Sequence, residues 1–175
     1  MAGGGRRNGP SLRVNVVDLL RRPGVQRAFE RTALLDDLAL SHIRVVPGEP
    51  IELDLVLEAI PEGIVVTGRI GARWEGDCRR CAEPTSGRLD IDLREIFSPR
   101  PIEGETYPLA HDSLDLAPMV REAVLTELPL APLCRPDCPG PDPERFPTEP
   151  AEGGEPSEPS PDPRWAALDQ LRLDR

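Results

Sequence analysis

The sequence contains no lysine; every basic residue is an arginine. Aromatic residues are scarce at 3%, so any core must be built from Leu, Val, Ile and Ala. There are two histidines, His42 and His111. They are isolated from each other and read as surface residues. No phosphate loop, dinucleotide fingerprint or nucleophile motif is present, so neither an enzyme nor a small-molecule substrate is expected. No stretch approaches the ~20 apolar residues of a membrane span. Met1 to Pro10 is glycine and arginine, with no apolar run of signal length after it. The expectation is a cytoplasmic protein without a membrane partner. There is no internal repeat.

Acidic charge is abundant. The formal net charge is -10, spread unevenly. Met1 to Arg31 has seven arginines against Asp18 and Glu30. Thr32 to Cys138 has ten arginines against twenty acids. An acidic body repels a phosphate backbone, which disfavours broad nonspecific nucleic-acid binding. The basic N-terminal segment, with Arg6, Arg7, Arg13, Arg21 and Arg22, remains a candidate local contact.

The 175 residues suit one domain with appendages. Leu12, Val14 and Val16 alternate, which predicts a short strand, and Asp18 starts a helical turn. Val25 to Leu35 fits either a strand or irregular chain. Ile51, Leu53, Leu55 and Leu57 alternate with largely acidic neighbours, the pattern of a half-buried strand over Ile51–Ala59. Pro61-Glu62-Gly63 can turn the chain, and Ile64–Trp74 reads as the antiparallel partner. Leu89, Ile91 and Leu93 place a further strand over Arg88–Phe97. Residues 99–111 read as an acidic, irregular connection.

The clearest helix runs over Leu116–Leu128. Asp115 can cap it, and Pro118 falls in the first turn, where its missing N–H costs nothing. Leu116, Met119, Val120, Ala123, Val124 and Leu128 share one face, while Arg121, Glu122, Thr126 and Glu127 fall on the other. Pro129 ends the helix. The fold class is therefore α+β: a strongly curved antiparallel sheet with this helix packed on it. Whether the sheet closes into a barrel is left open.

Residues 1–10 are expected to be disordered, and the domain to span residues 11–138. From Pro139 to Pro163 nine of the 25 residues are proline. Such chain cannot bury enough apolar surface to offset its ordering entropy, so residues 139–161 read as a disordered linker. Residues 162–175 regain helix signals. Asp162 is a cap, Pro163 takes the first position, and Trp165, Leu168 and Leu171 form an apolar side suited to docking.

The four cysteines form two close pairs. Cys78 and Cys81 stand in C-R-R-C, on a tight loop between two strands like the knuckle of a zinc ribbon. Cys134 and Cys138 stand in C-R-P-D-C, after the helix. Four thiolates are the number a tetrahedral structural zinc site needs. The spacing alone equally allows unmetallated, reduced thiols, or a redox pair. In a reducing compartment, metal or free thiols come before disulfides.

Several stretches together resemble the YceD family, the bacterial large-ribosomal-RNA accumulation proteins. These are L-R-V-N-V-V-D-L-L-R-R-P-G, P-I-E-L-D-L-V-L-E-A-I-P-E-G-I-V-V-T-G, C-R-R-C-A-E-P, L-P-L-A-P-L-C-R-P-D-C-P-G and D-P-R-W-A-A-L-D-Q-L. The resemblance covers Leu12 to Cys138 and the last helix. It implies a non-enzymatic factor for synthesis, processing or accumulation of large-subunit ribosomal RNA. The implied partners are that RNA, its precursor, or a ribosome-assembly protein. Arg79, Arg80, Arg21 and Arg22 are the candidate RNA or partner contacts, since guanidinium suits bidentate phosphate recognition. The other reading is a protein-interaction module with one structural zinc ion and a partner-recruiting tail helix.

One departure matters. Relatives with the C-R-P-D-C-P-G ending usually continue to a further C-P-x-C, where this chain has Asp142 and Arg145. If a metal used that last pair, half the site is lost here. If it used Cys78, Cys81, Cys134 and Cys138, the site survives. Asp142 could offer an oxygen, a poorer match for a thiolate-bound zinc.

Overall fold

The computed structural model describes residues 12–145. The predicted tail helix with Trp165, Leu168 and Leu171, the arginines Arg6 and Arg7, and most of the proline-rich linker lie outside the described residues.

The core starts from two facing strands. β5 (Ile51–Ile60) buries Ile51, Leu53, Leu55, Leu57 and Ala59 and exposes or half-exposes the residues between them. That is the alternation in the sequence, realised on a pleated surface with side chains on opposite faces. β6 (Gly63–Asp77) pairs antiparallel with β5 from Gly63 to Gly71, and Ile64, Val66, Ile70 and Ala72 line the same inner face. β7 (Pro84–Ser98) pairs with β6 along almost its whole length. Full burial of each such aliphatic side chain is worth about 1.5–3 kcal/mol.

Two glycines permit the close approaches that bend this sheet. Gly68 sits at φ 140, and a Cβ there would lie 2.1 Å from the Asp54 carbonyl oxygen. Gly63 sits at φ 150, with the Phe97 carbonyl oxygen 2.0 Å from where a Cβ would be. A glycine inside a strand often marks such a bend.

The remaining strands extend the sheet on both sides. They are β1 (Arg13–Asn15), β2 (Gln26–Ala33), β3 (Ala39–Leu40), β4 (Ile43–Val45), β8 (Tyr107–Ala110) and β9 (Ser113–Asp115). The nine strands follow the order β1-β9-β8-β7-β6-β4-β3, with β5 also on β6 and β2 outside β5. The long β6 thus serves β5 at one end and β4 at the other. Among the described residues the sheet curls but does not close, because β1 and β2 each pair there on one side only. A short helix α1 (Val17–Leu20) joins these two edges, and Arg27 Nη2 donates across to the Asn15 carbonyl oxygen at 2.8 Å.

Helix α2 (Ala117–Glu127) packs on β7 and β6. Leu116, Met119, Val120, Val124 and Leu128 are buried in one cluster with Leu55, Ile64, Val66 and Phe97. Asp115 Oδ1 accepts from the Ala117 amide at 3.0 Å, while Leu116 itself occupies the N-cap position. The anticipated α+β architecture holds, with three refinements. The segment Val25–Leu35 resolves as strand β2. The connection over residues 99–111 contains β8, hidden in the sequence by its brevity and by Pro108. β7 and β8 pair in parallel, Phe97 with Tyr107, so the sheet is mixed rather than wholly antiparallel. The two rings stack at 5.2 Å.

Exposed ion pairs lace the outer face. Arg88 bonds Glu52 at 2.6 Å, and Arg69 bonds Asp92 at 2.9 Å. Arg88 holds the Glu52 carboxyl below its usual range. Such exposed pairs contribute little individually.

Candidate metal centre

β6 delivers its last residue, Asp77, to the foot of a loop, and β7 leaves the loop at Pro84. The loop is pinned on itself: the Cys78 amide donates to the Glu83 carbonyl at 2.8 Å, and the Ala82 amide to the Cys78 carbonyl at 2.8 Å. Ala82 completes the turn at φ 60. Left-handed backbone costs a non-glycine residue about 1–2 kcal/mol, so the loop spends some stability to bring Cys81 back toward Cys78.

The second pair arrives from α2. Pro129 ends that helix, and the chain bends at Leu130 and Ala131 and runs to the first loop, where the Arg79 amide donates to the Pro132 carbonyl at 2.8 Å. A turn then brings Cys138 under Cys134, with the Cys138 amide donating to the Arg135 carbonyl at 3.1 Å. Arg80 Nη1 donates to the Cys138 carbonyl at 2.9 Å and ties the second loop to the first.

These braces bring all four thiols together. Every pair of sulfur atoms in the set Cys78, Cys81, Cys134 and Cys138 lies within 4.8 Å. Cys78 Sγ is 3.8 Å from Cys138 Sγ, and Cys81 Sγ is 3.7 Å from Cys134 Sγ. Four sulfurs each ~2.3 Å from one zinc ion would stand about 3.8 Å apart. A disulfide needs ~2.05 Å, and all four cysteines are free. The residues therefore fit a tetrahedral metal. Cys78 and Cys138 are buried at 2% and 1% exposure, whereas Cys81 is half-buried and Cys134 is exposed.

Charge divides the thiols. The amides of Cys81 and Cys134 donate toward the Cys78 sulfur and bring its pKa down to about 6. Cys134 is pushed up to about 12, first by the Cys138 side chain and then by burial. For Cys81 the Glu83 amide favours the thiolate, but burial and the Cys78 and Cys138 thiols outweigh it and raise the pKa. The four thiols titrate as a coupled set, in which backbone amides favour the thiolate at Cys78 and the neighbouring Cys138 side chain disfavours it at Cys134. A divalent ion held by the four sulfurs would supply the positive charge that favours thiolate over thiol, with release of protons.

Asp142 is not in the thiol cluster; its Oδ1 accepts from the Arg145 amide at 3.3 Å. The cluster among the described residues is thus complete without the positions of Asp142 and Arg145. His42 and His111 are exposed and lie outside it. Arg79 exposes its side chain beside the cysteines. Arg21 and Arg22 lie far off. The Gly24 amide donates to the Ala59 carbonyl, which places that turn at the opposite end of β6 from the cysteine loop. The four arginines form two separate groups. The bracing roles of Arg80, Glu83 and Pro132 were not legible in the sequence; backbone carbonyls carry no residue-type signal.

Residues 66–172 match the model of a family described as large ribosomal RNA subunit accumulation protein YceD. An uncharacterized protein of Mycobacterium tuberculosis is 34% identical over 168 residues, covering 91% of this chain and 81% of the relative. An uncharacterized protein of Mycobacterium leprae is 32% identical over 165 residues, covering 90% of this chain and 76% of the relative. No solved structure matches the chain. Among the described residues, no helix is long and apolar enough to cross a membrane.

Proposed function

The chain belongs to the YceD family, and from that premise we propose that it is a non-enzymatic cytoplasmic factor supporting accumulation of large-subunit ribosomal RNA. The observation that carries the reading is the family match, whose residues 66–172 take in both cysteine loops. The partner is that RNA, its precursor, or a protein of the assembling subunit.

Zinc is the metal that suits four thiolates at these separations, because soft sulfur ligands and tetrahedral geometry favour it over hard cations. Its part is structural. Four protein ligands leave no open coordination position for a water, which hydrolytic zinc requires. Cys78, Cys81, Cys134 and Cys138 would hold it.

The test is depletion of the protein from its own cell, followed by the ratio of mature and precursor large-subunit RNA to small-subunit RNA. A fall in mature large-subunit RNA, restored by the wild-type chain, is the expected outcome. An unchanged ratio overturns the reading.

A further inference from the structure

Among the described residues, the curled sheet has three edges that pair on one side only. β1 offers three residues, β3 two and β2 eight. Long unpaired strands are templates for another strand, so β2 is the edge with the most to offer.

Its backbone direction follows from one hydrogen bond. The Ala59 amide donates to the Val25 carbonyl at 3.2 Å. In an antiparallel ladder the bonded residues then alternate, so Arg27, Phe29, Arg31 and Ala33 turn their backbone groups toward β5. Gln26, Ala28, Glu30 and Thr32 turn theirs to the free side, and all four are exposed.

The side chains along this edge are unusual for a solvated strand. Four large apolar residues stand exposed among the described residues, and two of them, Val25 at 43% and Leu34 at 40%, flank β2 immediately. Between them, Arg27, Phe29 and Arg31 share one face. The Arg31 guanidinium lies 5.1 Å over the Phe29 ring. An added strand would set its own side chains roughly 5 Å from these three. Acid, apolar, acid at alternate positions is the sequence that complements them.

A second copy of this chain is a poor occupant. A symmetric antiparallel pair of β2 strands centred on Phe29 would place Arg27 against Arg31 of the second copy, and like charges directly opposite destabilise. The chain's own Pro139–Pro163 segment is also poor, since nine of its 25 residues are proline and lack the N–H that a ladder needs.

We infer that the free edge of β2 captures an extended acidic peptide of a partner protein as an additional strand, with Arg27 and Arg31 reading its carboxylates and Val25 and Phe29 its apolar residues. This surface is separate from the thiol cluster and goes beyond the role proposed above.

The probe is the ten-residue peptide Glu-Thr-Val-Thr-Glu-Thr-Val-Thr-Glu-Thr, which sets Glu, Val and Glu in turn on one face of a strand, titrated into the full isotope-labelled chain. The expected result is hydrogen exchange slowed at least tenfold at the amides of Gln26, Ala28, Glu30 and Thr32 at saturation. Arg27→Glu with Arg31→Glu is expected to weaken binding at least tenfold. Glu30→Pro should abolish it and leave the fold intact, because that amide is not used toward β5. The same peptide N-methylated at alternate residues is expected not to bind, a control independent of how any variant folds. Equal protection by the same peptide with Lys in place of each Glu, or no protection at those amides, overturns the inference. So does protection that rises with protein concentration alone, which assigns the edge to a second copy, and so does protection by a single-stranded RNA but not by the peptide.

Discussion

The sheet-and-helix body and the cysteine loops are held by different physics. In the body, Leu55, Leu57, Ile64, Val66, Phe97, Met119, Val120 and Val124 are wholly buried. In the loops, of residues 78–83 and 130–138, only Cys78, Pro132 and Cys138 are buried. Leu130 is 75% exposed. Area burial can stabilise the first region and not the second. The loops are instead braced by four clustered thiols, four loop-to-loop or loop-closing amide bonds and one guanidinium. One chain thus contains a part that folds by excluding water and a part with little buried apolar surface whose order, on the proposed reading, depends on coordination.

The comparison can be broken at the body first. Phe97→Ala removes a fully buried ring beneath α2 and is expected to cost about 3–5 kcal/mol, as large-to-small core changes do. Chemical denaturation of the full chain reads it. A loss below about 1 kcal/mol would mean that the core is not the main source of stability.

Metal removal probes the other side. Chelation, or Cys138→Ser, is expected to speed amide exchange over residues 78–83 and 130–138 by more than tenfold while amides of β5 and β6 keep their rates. Local opening without global unfolding is the signature of two separable regions. Uniform acceleration through the sheet would show that the body also depends on the metal. Zinc content is expected at one ion per chain in protein purified under reducing conditions, and none in the variant.

Arg80→Gln sharpens the boundary. It deletes the guanidinium that holds the Cys138 carbonyl and leaves all four ligands. Partners around a metal site that are lost in this way typically cost 10–100-fold in affinity. About a tenfold weaker zinc affinity by competitive chelation, with the denaturation midpoint nearly unchanged, is expected. Arg79→Gln, whose amide rather than side chain makes the brace, should leave affinity as it was.

The smallest effect is a matter of pH. Glu95 lies on β7 facing Glu122 of α2, and burial, with the Glu122 charge second, raises its pKa. Tyr107 donates to Glu122 at 2.6 Å in the same corner. For an acid whose folded pKa is raised, the unfolded chain ionises first as pH climbs. Stability is therefore lost from the ordinary carboxylate range up to the folded pKa and stays lost above it. Glu95→Gln should be slightly more stable than the parent at pH 7 and no more stable below pH 4, by thermal denaturation at each pH. An equal gain at both would assign the effect to packing.

Much of the body was legible because its signals are local. The alternation through Ile51–Ala59 and Ile64–Trp74, and the 3/4 spacing from Leu116 to Leu128, state directly which side chains must leave water. β2 was left between strand and loop because Arg27, Glu30 and Arg31 hide its period; the pairing with β5 decided it. β8 was missed because a four-residue strand containing Pro108 has no pattern to read.

The cysteine centre was half legible. Spacing named the four candidate ligands, and local sequence placed Cys78 and Cys81 on a turn between strands. Their meeting with Cys134 and Cys138 depends on α2 crossing β7 and β6 and on the Arg79–Pro132 bond, long-range facts that no window of sequence contains. The sequence by itself determined periodicity, breaks, charge and ligand chemistry, because each is a property of near neighbours along the chain. The curl of the sheet, the edge left free at β2, the assignment of Arg80 to a carbonyl and the separation of Arg21 and Arg22 from the cysteines were decided only in the tertiary structure. Those depend on which distant residues share a surface, and packing settles that only when the whole core forms.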